Sequence, residues 1–147
     1  MKALIQRVSE AKVDIGGKTV AKIGKGLLVF LGVEKGDTEK DLDYLVRKVP
    51  HLRIFEDTHK KMNLSVLDTI GEVLVVSQFT LSANCQKGNR PSFDNSEDPA
   101  KAEEMYVKFA DKLRETGLTV ATGDFGTYMQ VYLLNDGPVT IMLDSKK

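Results

Sequence analysis

The run Leu27-Leu28-Val29-Phe30-Leu31-Gly32-Val33 presents apolar side chains to both faces of an extended chain. A strand of that composition is stable only where other layers cover both of its faces, so it sets the plan of the fold as a central strand. Glu72 to Leu81 is the second strongly apolar segment and reads as another strand of the same sheet. Neither run approaches the ~18 apolar residues that a membrane-spanning helix needs, which excludes an integral membrane protein of that kind. The length of 147 residues predicts one domain, residues 1–147, and a chain of this size buries about two-thirds of its unfolded surface. With 41% apolar and 29% charged residues, disordered, collagen-like and coiled-coil readings fall away. The 21 basic and 21 acidic residues cancel, which argues against a non-specific nucleic-acid coat, because phosphate-driven affinity needs surplus cations. The N-terminus lacks the apolar stretch and cleavage site of a signal peptide, and the lone Cys85 cannot form an internal disulfide, so a cytoplasmic location is expected.

Along the chain, Leu4 to Val13 reads as a strand and Asp14-Ile15-Gly16-Gly17-Lys18 as a hairpin turn, with Thr19 to Ile23 as the partner strand. Leu42, Leu45, Val46 and Val49 recur at helical spacing after Asp37-Thr38, which predicts a helix ending before Pro50. His51 to Phe55 reads as a short strand and Glu56 to Lys61 as a polar loop. Ser82 to Asp98 has no period and is rich in Asn, Ser, Gly and Pro. A loop of that length in a compact domain is usually functional, so it is expected to border a site. Asp98 as N-cap and Pro99 at the first helical position open a second helix carrying Ala102, Tyr106, Phe109, Ala110 and Leu113, which Gly117 closes. Leu118 to Ala121, Thr127 to Leu134 and Val139 to Leu143 complete the strands, the last two joined by a turn at Asn135-Asp136-Gly137-Pro138. The fold class is therefore α/β: a single mixed domain of about seven or eight strands, forming a curved sheet or barrel-like core with two helices packed on it.

Three segments carry candidate chemistry. In Ser77-Gln78-Phe79-Thr80-Leu81 an apolar strand turns polar. The bland reading is a half-exposed strand with alternate residues in water; the functional one is a set of side-chain and main-chain donors that bind a carbonyl or oxyanion. Asn135-Asp136-Gly137-Pro138-Val139-Thr140 is an ordinary turn sequence, yet a Gly-Pro peptide lets both of its carbonyl oxygens approach a ligand. Gly88-Asn89-Arg90-Pro91-Ser92-Phe93 either anchors the long loop or offers Arg90 to a phosphate. His51, His59 and the five Met show no metal-ligand spacing, and nothing marks Cys85 as an activated thiolate, so no metal and no cofactor are expected.

Taken together, these motifs resemble the D-aminoacyl-tRNA deacylase family over the whole chain. The resemblance rests on Ile5-Gln6-Arg7-Val8, Lys61-Met62-Asn63-Leu64-Ser65, Val75 to Leu81, Gly88 to Phe93, Thr122-Gly123-Asp124-Phe125-Gly126, Met129-Gln130-Val131 and Asn135 to Thr140. Thr127-Tyr128 departs from the family pattern of a smaller residue followed by a polar or acidic one. The resemblance implies a homodimer that hydrolyses the ester joining a D-amino acid to the acceptor end of tRNA. It implies catalysis around Ser77, Gln78, Phe79 and Thr80, and substrate binding by Gly137, Pro138, Met129 and Arg7. The Gly137-Pro138 peptide is expected to be cis and to enter the partner subunit's pocket, where its carbonyls exclude an L side chain; glycyl-tRNA would then pass the filter. Main-chain N–H groups near Phe79 would stabilise the oxyanion, with Thr80 as covalent nucleophile the rival mechanism. A dimeric module that holds nucleic acid or nucleotide without turnover is the alternative function, and a thiol or metal hydrolase the third class.

Overall fold

The computed structural model describes residues 1–147. The chain forms the strands β1 (Lys2–Ile15), β2 (Lys18–Ile23), β3 (Gly26–Gly32), β4 (Phe55–Glu56), β5 (Met62–Leu64), β6 (Glu72–Ser77), β7 (Thr119–Thr122) and β8 (Gln130–Asp144), with helices α1 (Glu39–Lys48) and α2 (Pro99–Glu115). The first half of β1 pairs with β3 and its second half with β2, while β8 runs antiparallel along its other edge. Beyond β3 lie β6 and β7, both parallel to their neighbours. β2 in turn approaches β6 and β7, so the sheet curls into a nearly closed barrel. No helix is long and apolar enough to cross a membrane.

The central position predicted for Leu27–Val33 is what β3 occupies. Leu27, Val29 and Leu31 enter a core shared with Val73 and Val75 of β6, Leu42 and Leu45 of α1, and Met105, Phe109 and Leu113 of α2. On the opposite face Leu28 meets Leu74, Val76, Val13 and Ile23 in a second core inside the barrel. β1 serves both cores by changing parity. Ala3 and Ile5 face the first, and Val8, Ala11 and Val13 the second. The change falls at Ser9: Val8 pairs with Asn135 and Glu10 with Leu134, leaving Ser9 as an extra residue. A one-residue bulge of this kind reverses which face later side chains meet.

α1 and α2 begin as predicted. Asp41 accepts hydrogen bonds from the Thr38 N–H (2.8 Å) and hydroxyl (3.0 Å), while Asp98 holds the N-cap position of α2 without a side-chain capping bond. Desolvation pushes the Asp41 carboxyl up, but hydrogen bonds from the Ser145 hydroxyl and Thr38 outweigh it and bring its pKa down to about 2. A carboxylate held below its unfolded value of ~3.9 contributes stability that is fully present above that value and lost as pH falls through the folded pKa. Denaturant midpoints are therefore expected to decline between pH 4 and pH 2, and Asp41→Asn to flatten part of that decline.

Three expectations are corrected. The strand predicted at His51–Phe55 is a 3-10 turn over Val49–His51 followed by β4, which pairs with β5 in a separate two-stranded ribbon. Pro50 has no N–H to give a sheet ladder and suits the first positions of a turn. The strand predicted over Glu72–Leu81 stops at Ser77, where its partner β3 also ends. The Gln78 N–H makes one more bond, to Leu31 O at 2.8 Å, and Phe79–Ser82 then winds into a 3-10 turn. Gly32 permits this, since a Cβ there would lie 3.1 Å from both Gln78 O and Leu81 Cβ. Finally, Asn135–Pro138 is not a turn between two strands but lies within the single strand β8 (Gln130–Asp144). β8 stays on β1 on both sides of it: Thr140 pairs with Gln6 and Asn135 with Val8. Arg7 alone thus faces Asp136, Gly137, Pro138 and Val139, and the surplus residues arch out of the sheet.

Candidate active site

The end of β6 opens onto a cleft of about 800 Å³ whose lining includes Ser77, Gln78, Phe79, Phe93, Tyr106 and Met129. Its floor is the sheet end, one wall comes from the long loop and the start of α2, and the other from Phe125–Val131. The turn that follows β6 decides what the cleft presents. Within it the Leu81 N–H reaches back to Gln78 O (3.3 Å) and the Ala83 N–H to Thr80 O (3.1 Å). The first N–H groups of a turn, here those of Phe79 and Thr80, have no acceptor inside it. The Gln78 side-chain amide donates to the Thr80 hydroxyl at 2.6 Å, so that oxygen, the candidate covalent nucleophile, faces a donor rather than a base.

Several neighbours fix this turn. The rings of Phe79 and Phe93 meet edge to face with centroids 5.0 Å apart, and the Ser96 hydroxyl donates to Phe79 O at 3.3 Å. Tyr106 belongs by its helical spacing to the apolar face of α2. It lines the cleft and donates its hydroxyl to Val75 O (2.9 Å) and Gly123 O (3.3 Å), tying β6 to the segment after β7. Burial holds the Tyr106 phenol neutral by pushing its pKa up to about 12, so it serves as a hydrogen-bond donor. The period of α2 gave no sign of this, although a Tyr among buried positions signals that its hydroxyl has a partner. Gly123 makes room for Met129, whose sulfur would lie 2.7 Å from a Cβ at that position.

Of the residues singled out from sequence, Ser77, Gln78, Phe79 and Met129 line the cleft, and Thr80 adjoins it through Gln78. Arg7, Gly137 and Pro138 do not line it in their own chain. They form a group of their own. Arg7 is only 6% exposed, and its guanidinium donates to Asp136 O at 2.7 Å and to Ile54 O at 2.6 Å. Asn135 steadies the far side of the arch by accepting the Val139 N–H at 2.7 Å. The Gly137-Pro138 peptide is cis and stands exposed at the surface. His51 Nδ1 lies 2.9 Å from Arg47 O, and Cys85 is exposed on the long loop.

The family model for D-Tyr-tRNA(Tyr) deacylase matches residues 4–144. The D-aminoacyl-tRNA deacylase of Thermosipho melanesiensis is 56% identical over 148 residues, covering 100% of this chain and 99% of the relative. That of Geobacter sulfurreducens is 58% identical over 146 residues, covering 99% and 96%. Among solved structures, the c-Myc DNA unwinding element binding protein superposes with a TM-score of 0.93 at 46% identity over 98% of both chains. A probable eukaryotic D-amino acid tRNA deacylase, at 18% identity and a TM-score of 0.81 over 97% of both chains, shares the fold. The match from residue 4 to residue 144 and the end-to-end identity above one-half establish that the chain belongs to the D-Tyr-tRNA(Tyr) deacylase family, whose members are hydrolases.

Proposed function

We propose that the protein hydrolyses D-aminoacyl-tRNA in the cleft at the end of β6, rejects L-aminoacyl-tRNA by steric exclusion, and works as a homodimer in the cytoplasm without metal or cofactor. The observation that carries the chemical reading is the 3-10 turn at Phe79–Ser82, whose leading N–H groups have no acceptor within the turn and whose first residue lines a cleft large enough for a terminal aminoacyl-adenosine. Water adds to the ester carbonyl carbon, the Phe79 and Thr80 N–H groups hold the oxyanion, and the carbon–oxygen bond to the ribose breaks as the ribose oxygen gains a proton. The neighbouring 2′-hydroxyl relays that proton. An aminoacyl ester is already activated, so oriented donors and a positioned water suffice.

Selectivity is assigned to Gly137 and Pro138 reaching in from the second subunit. Their carbonyls take the substrate ammonium and fill the space that an L side chain would need, while a D side chain points outward; glycyl-tRNA, with no side chain to exclude, is also cleaved. Discrimination by exclusion is stronger than a preference for one side chain, since a methylene is worth only ~1–3 kcal/mol. Arg7 braces this segment through Asp136 O. Support for a second copy comes from β8, whose outer edge is unpaired over its length and whose outward residues include the exposed Tyr132, Leu134 and Met142. Long apolar edges of this kind invite pairing with another chain.

A second reading, nucleic-acid binding without turnover, has in its favour the name of the 46%-identical structural relative. Release of free D-tyrosine from D-tyrosyl-tRNA separates the two. Thr80→Ala is expected to keep activity within about tenfold, because main-chain donors survive loss of a side chain; a D-tyrosyl ester trapped on Thr80 would contradict this mechanism.

A further inference from the structure

The long connection between the turn after β6 and α2 carries a small hairpin that the catalytic reading leaves unused. The Asn84 N–H donates to Ser92 O at 2.8 Å and the Ser92 N–H to Asn84 O at 2.9 Å, closing the segment. Gly88 lies at its tip in the left-handed region, φ +70°. Every residue from Ala83 to Pro91 is exposed, and the only charges among them are Lys87 and Arg90. Neither takes part in an ion pair with a carboxylate of the chain. The cations of nearby α2 differ: Lys101, Lys108, Lys112 and Arg114 are all paired. The base of the hairpin is the wall of the cleft itself, because Phe93 lines the cleft and packs on Phe79.

We infer that the 84–92 hairpin grips the single-stranded acceptor strand of the substrate, with Lys87 and Arg90 on the phosphates just upstream of the ester; this rests on the deacylase reading above. An extended chain spans at most ~3.6 Å per residue, so the five steps from Phe93 to Gly88 carry the tip no more than about 18 Å from the cleft wall. That reach confines the hairpin to nucleotides adjoining the terminal one. Unpaired, solvated cations on a short arm suit phosphates, which Arg holds through its fork and Lys as a point charge. The overall balance of charge is no obstacle, since the contact needs two local cations and not a basic surface.

The test compares wild type with the double variant Lys87→Ala/Arg90→Ala on two substrates, D-tyrosyl-tRNA and D-tyrosyl-adenosine, which has no upstream phosphate. On the tRNA, KM is expected to rise about tenfold with kcat unchanged. The slope of log kcat/KM against log salt should become shallower by about 1.4, two single-strand contacts at ~0.7 each. Hydrolysis of the nucleoside ester should not change, and Lys87→Arg/Arg90→Lys should retain the wild-type salt slope. Unchanged KM and slope on the tRNA would overturn the inference, as would equal losses on both substrates, which signal a damaged cleft. A wild-type protein inactive on both substrates would reject the deacylase reading, and this inference with it.

Discussion

Replacing Gly137 by Ala is expected to lower kcat/KM for D-tyrosyl-tRNA by at least about 100-fold and to narrow the gap between D- and L-substrates. Gly137 has φ +152°, and a Cβ there would lie 2.7 Å from Val139 Cγ2, 2.9 Å from Val139 N and 3.2 Å from the Arg7 guanidinium. The arch must therefore shift, and its carbonyls with it. A displacement of ~1 Å in a positioning group can cost ~100-fold in rate. The fold should tolerate the change, because Asp136, Gly137 and Pro138 are exposed and stand outside both cores. Steady-state kinetics on the two enantiomeric substrates, with a denaturation curve for each protein, measure all three effects. If each site draws on two chains, a mixed dimer of Gly137→Ala and Phe79→Pro subunits, the latter lacking one proposed oxyanion N–H, contains one site with both native residues and regains activity that neither homodimer shows. Wild-type selectivity in Gly137→Ala would remove the filter from the account.

Gly26→Ala should produce the largest loss of stability. A Cβ at Gly26 would sit 1.8 Å from Glu72 O and 2.7 Å from Glu72 N, which is the backbone of the strand that β3 pairs with at that position. Main chain cannot rotate aside as a side chain can, so β3 and β6 must part where the two cores meet. A loss above about 4 kcal/mol is expected, the range reserved for changes that break packing outright. Gly24→Ala is the control: its Cβ would meet only Glu72 Oε1, a side-chain atom, at 3.4 Å, and its cost should stay within about 1 kcal/mol. Equal midpoints for the two variants in urea would contradict the packing described for β3.

The sequence made the central strand, both helices and their boundaries legible because each rests on a local signal: apolar runs, helical spacing, or caps. It also marked Ser82–Asp98 as bordering a site, and Phe93, Ser96 and Glu97 do line the cleft. Less was visible where tertiary pairing overrides local chemistry. Asn-Asp-Gly-Pro is a turn sequence, and only the continued pairing of β8 with β1 turns it into an arch over Arg7. Ser77 to Leu81 has the β-propensity of a strand, but β3 offers no ladder beyond Gly32, so the chain coils. Tyr106 shows the same limit: helical spacing placed it in the core, while its hydroxyl bonds to Val75 and Gly123 only because three distant segments converge.

The most direct measurement is deacylation of D-tyrosyl-tRNA and L-tyrosyl-tRNA side by side by the purified protein, with and without a chelator. Rapid release of D-tyrosine, no release of L-tyrosine above the uncatalysed rate, and no effect of the chelator are the expected results. Equal rates on the two enantiomers, or activity abolished by metal removal, would contradict the proposed function.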